Sequence, residues 1–121
     1  MAKWQIDAML DAGLDYISSN ATEIYVCTAQ PTDRANAIST ALTAVEVPTF
    51  QANANGDVSG RKLAVDAEVD MDINASGDAT HIALCSGTLL LYVTTCTLQT
   101  LTSGGTVTVP TWDIELEDVT P

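Results

Sequence analysis

The sequence predicts a mainly β protein, an antiparallel β-sandwich or barrel with an N-terminal α-helix. Apolar and polar residues alternate strictly from Lys62 to Ile73, which is typical of a strand with one face on a core and one in solvent. Short β-branched segments are separated by turn signals about every ten to fifteen residues. Helical spacing of apolar residues occurs near the N-terminus. The length of 121 residues predicts one domain, 1–121.

The first segment predicts a helix over about residues 3–18. Its apolar residues follow the i, i+3, i+4, i+7 pattern of one buried face, which comprises Ile6, Met9, Leu10, Gly13, Leu14 and Ile17. Asp7, Asp11 and Asp15 lie four residues apart on another face. The polar run 18–20 ends the helix.

The β-rich body is predicted over about residues 23–117. It begins with a β-branched and aromatic strand from Glu23 to Thr28. The next segment is ambiguous, because Thr32 could cap a short helix through Ala37, followed by a strand from Ser39 to Val47.

Four more strands are predicted toward the C-terminus: Lys62–Ile73, Thr80–Cys85, Thr88–Leu98 and Thr106–Glu117. The apolar phase of the last strand shifts at Pro110. Because proline cannot donate a hydrogen bond to a neighbouring strand, this shift indicates a bulge or an edge position.

The chain is strongly acidic, with 16 Asp and Glu residues against 4 Lys and Arg and a net charge of −12. The basic residues Lys3, Arg34, Arg61 and Lys62 are too few to neutralise a row of phosphates. An anionic membrane surface would repel the chain for the same reason. We therefore expect neither nucleic acid nor membrane as a partner.

The chain has no apolar run of about 20 residues and no signal-peptide pattern at its start, so we expect synthesis in a reducing cytoplasm. Three cysteines, Cys27, Cys85 and Cys96, cannot all pair within one chain. They lie in apolar, Thr-rich segments and are interpreted as small buried hydrophobic residues.

Acidic residues recur on alternate positions of two predicted strands: Asp66, Glu68, Asp70 and Asp72, then Asp113, Glu115 and Glu117. A cation site is one interpretation, with Asp70, Asp72, Asn74 and Asp78 as weak calcium candidates. The calcium-loop pattern fails, because Ala75 stands where glycine is needed and His81 where a bidentate glutamate is needed. Solvated strand faces that resist edge pairing are the favoured interpretation, and no metal or other cofactor is predicted.

The sequence offers little for catalysis. His81 is the single histidine and would lie about 13 Å from Cys85 along a strand. The chain has no Gly-x-Ser-x-Gly elbow, no Cys-x-x-Cys pair and no phosphate-binding loop spacing. The expectation is a binding protein and not an enzyme.

Aromatic residues are the favoured interface anchors, since they are enriched at binding hot spots. The candidates are Trp4, Tyr16, Phe50, Tyr92 and Trp112. Arg61 and Lys62 hold half of the positive charge. They are either a docking pair for an acidic neighbour or the solubilising start of a strand, and both interpretations stay open.

The order of segments adds a family resemblance. After the N-terminal helix come CTAQPT (27–32), VSGRKL (58–63), GDATHIAL (77–84), LTSGGTVTV (101–109) and WDIELE (112–117). In the order of these segments and in their residues, the chain resembles small virion proteins of tailed bacteriophages that are encoded among head and tail genes.

The resemblance implies a non-enzymatic structural protein of the virion, made in the host bacterial cytoplasm. Within that class a capsid decoration (cement) protein is favoured, bound to the major capsid protein or neighbouring virion proteins as a homo-oligomer, with a trimer favoured. A head–tail connector or tail component is the alternative within the class. A carbohydrate- or receptor-binding β-sandwich, with calcium dependence as one variant, is the alternative outside it.

Overall fold

The structure is a computed structural model that describes residues 6–57 and 59–116. Two helices and eight strands follow in the order α1 (Asp7–Asn20), β1 (Glu23–Cys27), α2 (Arg34–Thr40), β2 (Ala54–Asn55), β3 (Arg61–Val65), β4 (Glu68–Asp72), β5 (Gly77–Cys85), β6 (Leu90–Leu101), β7 (Thr106–Val109) and β8 (Trp112–Leu116). The predicted fold class is confirmed: strands predominate, all strand pairs are antiparallel and a helix lies at the N-terminus. Trp4 and Glu117 lie outside the described residues.

The strands form three small sheets, ordered β1-β5-β6, β2-β3-β8 and β4-β7. One hydrophobic cluster draws on all three sheets and on α1, with Leu14, Ile24, Leu63, Met71 and Leu84 among its buried members. A second, smaller cluster joins α2 to the other face of the first sheet through Ala37, Tyr25, Cys27, Ala83 and Cys85. The first sheet is therefore covered on both faces.

The single strand predicted from Lys62 to Ile73 is wrong, because β3 and β4 belong to different sheets. Asp66 lies at the break and accepts hydrogen bonds from Thr49 Oγ1 and Gln51 Nε2 at 2.9 and 3.0 Å. Within β4, Asp70 has a φ of 56°, a left-handed conformation that aspartate tolerates better than most residues.

The break and the β4 irregularity change which side chains face the core. The register of β4 against β7 shifts between Glu68 and Met71, and Val69, predicted to be buried, is 68% exposed. Ala64, predicted to face solvent, is buried. The predicted acidic row is therefore split between the β3–β4 break and the exposed side of β4.

The last predicted strand is also divided. It separates at Pro110 into β7, which pairs with β4, and β8, which pairs with β3. The phase shift at Pro110 thus marks the point where the chain crosses between two sheets, instead of a bulge within one strand.

Residues 41–50 replace the predicted strand Ser39–Val47 with a series of isolated bridges. Ile24 bridges to Glu46 and Cys27 to Ala41, so this segment covers the outer edge of β1. α2 ends at Thr40, and its N-cap is Asp33 instead of Thr32, because the Asp33 carboxylate accepts the backbone N–H of Asn36 at 2.7 Å.

The ion pair between Glu23 and Arg34 ties α2 to β1 and makes stability depend on pH. Arg34 Nε and Nη2 donate to the two carboxylate oxygens of Glu23 at 2.9 and 2.8 Å. These hydrogen bonds lower the pKa of Glu23 below its ordinary value of 4.5. Since the folded-state pKa is below the unfolded one, the pair stabilises the fold fully above the unfolded pKa. That contribution is lost as the pH falls through the folded-state pKa.

We therefore expect Glu23→Gln to be less stable than the wild type at pH 7, and the difference to shrink as the pH falls below about 4.5. Urea unfolding followed by circular dichroism at pH 7, 5, 4 and 3 measures this. A difference that is the same at every pH would show that the carboxylate charge does not matter.

Candidate interaction surfaces

Contacts on two sides of α1 fix its rotation. Leu10 and Leu14 face the core, and Leu14 is only 1% exposed. On an adjoining side, Asp11 Oδ1 accepts from Arg61 Nε at 2.8 Å, and Asp15 Oδ1 accepts from Asn53 Nδ2 at 2.9 Å. Together these contacts hold the acidic side of the helix toward the loop and strands around β2 and β3.

The remaining side of α1 is exposed and uncharged; we call it the outer face. It comprises Ala8, Met9, Ala12, Gly13 and Tyr16, and Ile6 precedes these residues at the N-cap. Ile6, Met9 and Tyr16 are 56%, 57% and 54% exposed. The expectation that Ile6, Met9 and Gly13 are buried with Leu10 and Leu14 is wrong, because the ion pair of Asp11 turns them outward. Apolar residues therefore occupy two sides of this helix. One side packs on the core, and the outer face has no partner among the described residues.

Leu116 of β8 lies at the border of the outer face. A methyl group added at Gly13 would lie 3.3 Å from Leu116 Cδ1, so the glycine lets the helix approach this strand. Leu116 is itself partly exposed. It therefore adds to the apolar surface beside Gly13.

A cleft of about 500 Å³ lies between β6 and β7; we call it the inter-sheet cleft. Its walls include Thr94, Thr95, Cys96, Val107, Val109 and Trp112. The core residues Val26, Ala79 and Ile82 also line it, so the core is reached from this side. Clefts of this size with mostly apolar walls are typical of binding sites.

Two of the predicted aromatic anchors come together at this cleft. The rings of Tyr92 and Trp112 stack with centroids 6.0 Å apart and planes inclined by 25°. Trp112 Nε1 is buried, and none of the described residues accepts a hydrogen bond from it. An unsatisfied donor of this kind is uncommon in folded proteins.

The inter-sheet cleft also has a signal in the sequence, although this signal is not one of the motifs considered for catalysis or binding. From Ala79 to Trp112 the chain contains no Asp, Glu, Lys or Arg. This stretch covers most of β5 and all of β6 and β7. Most of the cleft wall is therefore uncharged, and Asp113, the next residue along the chain, is the one charged side chain among the described residues that line it.

Tyr16 is exposed on the outer face of α1, as an interface anchor must be. Phe50 instead bridges to Val65 and packs against the core, where it supports the fold. Trp4 lies outside the described residues, so the structure does not place it.

Arg61 and Lys62 are both engaged in ion pairs within the chain. Arg61 pairs with Asp11 and donates to Asn55 Oδ1 at 2.8 Å. Lys62 Nζ lies 2.8 Å from Asp57 and 3.4 Å from Asp113. With Arg34 paired to Glu23, every basic residue in the described part of the chain has an acidic partner.

The weak calcium candidates are not gathered into a metal centre. Asp70, Asp72 and Asn74 are exposed, and Asp78 accepts a hydrogen bond from Thr100 Oγ1 at 2.9 Å. Over residues 6–57 and 59–116, no group of three or more His, Cys, Asp and Glu side chains is arranged to hold a metal ion.

The nucleophile candidates are integrated into the sheets. His81 Nδ1 lies 2.8 Å from the hydroxyl of its neighbour Thr80. Cys27 and Cys85 are buried, as expected for small hydrophobic residues, whereas Cys96 is half-buried, and all three cysteines are free. Burial raises the pKa of the Cys85 thiol to about 11, which keeps it protonated and unreactive at neutral pH.

Comparison of the chain with protein-family models, curated proteins and solved structures finds no match. Neither described helix combines the length and apolar character needed to cross a bilayer.

Proposed function

We propose that this chain is a non-enzymatic structural protein of a tailed bacteriophage virion, a capsid decoration protein that binds the outer shell. The observation that carries the proposal is the inter-sheet cleft, whose walls come mostly from the uncharged stretch Ala79–Trp112 and include one charged side chain, Asp113. A partly apolar surface with a single charged side chain, on a chain of net charge −12, suits attachment to another protein. The order of short sequence segments supports the assignment to virion proteins.

The charge distribution supports protein partners over nucleic acid or membrane. Arg34, Arg61 and Lys62 each pair with a carboxylate of the same chain, so they offer no cationic patch for phosphates. The acidic remainder keeps unassembled copies soluble. The proposed partners are the major capsid protein, neighbouring virion proteins and further copies of the chain, and the proposed location is the virion.

The experiment adds purified protein to shells of the encoding phage that were assembled without it, and measures bound protein by co-sedimentation. Electron cryomicroscopy then locates the added density. We expect regular density on the outer shell and at least a roughly tenfold weaker binding for Thr95→Glu, which places a charge at the cleft.

Two variants serve as controls for the charge at the cleft. Thr95→Gln adds a polar group of similar size without charge. Val47→Glu adds the same charge at a residue that is 69% exposed and does not line the cleft. Both should bind like the wild type. Density confined to the tail or neck would assign the chain there instead, and absence from the virion would refute the proposal.

One observation favours a second candidate, a carbohydrate- or receptor-binding module. Trp112 lines the cleft and carries a buried indole N–H for which no residue in the described part of the chain is an acceptor. Aromatic rings with a free donor suit sugar hydroxyl groups. Glycan-array binding that is lost in Trp112→Phe would support this candidate, whereas no binding to any glycan would exclude its carbohydrate form.

A further inference from the structure

The inter-sheet cleft lies between two strands that are each paired on one side only. In the described part of the chain, β6 pairs with β5 and β7 pairs with β4, and no other strand or bridge joins either of them. An unpaired strand edge presents a row of backbone N–H and C=O groups that can bond to a further strand. The cleft is therefore bordered by two strands that can each accept a neighbour.

The lining residues place the cleft along the free edge of β7. Side chains of a strand point alternately to its two faces, so consecutive residues line one cleft when it runs along the strand edge. Residues 107–110, in β7 and the proline that follows it, all line the cleft. Because β4 occupies the other edge of β7, the cleft lies along the edge without a partner.

The β6 wall contains a bulge that leaves more of its backbone unpaired. Residues 95 and 99 of β6 pair with residues 81 and 79 of β5. The β6 residues between them, 96–98, therefore stand opposite Thr80 alone. A bulge disrupts the hydrogen bonds between the two strands at this point. Since Cys96 and Thr97 of the bulge line the cleft, backbone groups without a partner in the sheet lie at its wall.

We propose that the inter-sheet cleft binds an extended, uncharged segment of a partner protein, which adds to β6 as a further strand. The backbone of the segment pairs with the free edge of β6. Its alternate apolar side chains enter the cleft toward the core residues Val26, Ala79 and Ile82. The inference rests on the proposed function for the source of the segment, a neighbouring virion protein.

The chemistry of the cleft wall determines the character of the segment. Most lining side chains are threonine or apolar, and the charged one, Asp113, lies 3.4 Å from Lys62 Nζ through its Oδ2. An uncharged segment loses no hydration of charged groups when it enters, whereas the net charge of −12 repels an acidic segment or a second copy of the chain.

Trp112 supplies a further reason for an extended backbone. Its buried indole N–H has no acceptor among the described residues. A strand that adds to β6 brings backbone carbonyl groups into the cleft that Trp112 lines. One of these carbonyls accepts the indole N–H, which removes the cost of leaving that donor unpaired.

The first test selects ligands of the purified chain from a library of random 12-residue peptides, as long as β6. We expect enriched peptides to alternate apolar and polar residues and to lack Asp and Glu. Methylating alternate amide nitrogens removes the donors on one edge of the peptide and keeps its side chains. One of the two alternate sets should weaken binding at least roughly tenfold. Unchanged affinity with either set, or a library without enriched peptides, would overturn the proposal.

Variants of the β6 wall locate the bound peptide. Cys96→Phe puts a ring into the cleft and should weaken binding at least roughly tenfold, whereas Cys96→Ala keeps the cleft open and should bind like the wild type. Thr95→Glu is a second block at an exposed residue, which leaves the core unchanged. Circular dichroism checks that each variant is folded. Wild-type binding by folded Cys96→Phe and Thr95→Glu would place the peptide elsewhere and contradict the proposal.

The indole N–H gives a spectroscopic readout of the same contact. The chain has two tryptophans, so Trp4→Phe leaves Trp112 as the single source of an indole cross-peak in a nitrogen–proton correlation spectrum. We expect the selected peptide to move this proton downfield, as a hydrogen bond to a carbonyl does, and to shift the backbone amides of β6. Shifts confined to other elements would argue against binding in the cleft.

The strand proposal and the shell proposal fail separately. A peptide that adds to β6 but does not compete with shells would leave the strand addition intact and reject the cleft as the shell attachment site. Conversely, shell binding that is lost in Thr95→Glu, together with a library that yields no peptide, would reject the strand addition alone.

Discussion

Substituting Leu14 by alanine is expected to lower the free energy of unfolding by about 3 kcal/mol. Leu14 is 1% exposed and is the most deeply buried side chain that α1 contributes to the main core. Its removal would leave a cavity between the helix and the sheets, since α1 is held by the surrounding contacts and cannot fully close the gap. Urea unfolding followed by circular dichroism measures the change.

Tyr16→Ala is the matched control, because it truncates a larger side chain two residues away on the exposed side of the same helix. Its stability should stay within about 0.5 kcal/mol of the wild type. Equal losses in the two variants would mean that α1 does not pack on the core through Leu14.

Gly56→Ala is expected to lower the free energy of unfolding by about 2 kcal/mol. A Cβ at this position would collide with the backbone carbonyl of Ser59 and the carboxylate of Glu115. The backbone N–H of Gly56 also donates to Gly60 O at 2.9 Å and closes the turn that precedes Arg61. Because the obstacle includes backbone, the turn itself must shift to admit the methyl group.

Gly87→Ala tests whether this loss comes from the collision. A Cβ at Gly87 has no atom within 4 Å, and neither glycine has a positive φ. The substitution should be neutral or slightly stabilising, since alanine restricts the unfolded chain. Thermal unfolding of both variants gives the comparison, and a loss in Gly87→Ala as large as in Gly56→Ala would contradict the steric explanation.

The fold class and most strands follow from local sequence patterns, because β-branched alternation and turn residues act within a few positions. The break at Asp66 does not follow, since alternation continues through it without interruption. It depends on contacts with Thr49 and Gln51, which lie on a distant segment. A period-two pattern indicates a pleated backbone, but it does not show that the whole segment belongs to one sheet.

Local sequence patterns also do not predict the rotation of α1, and therefore do not predict which of its sides is exposed. Helical spacing alone groups Ile6 and Met9 with Leu10 and Leu14, because all four fall within one broad apolar arc. The pair between Asp11 and Arg61 joins residues fifty positions apart and decides which part of that arc is buried. The meeting of Tyr92 with Trp112 likewise depends on the crossing of β8 to another sheet.

The segment 41–50 has a consequence for how sheets of this protein can grow. By bridging to Ile24 and Cys27, it closes the β1 edge of the β1-β5-β6 sheet, while β6 forms the opposite edge. Fibrils propagate through a sheet only when each added strand exposes a fresh edge and the far edge is also free. A sheet closed on one side stops after a single addition. Copies of the chain can thus reach a high local concentration while this sheet is limited to one pairing through β6.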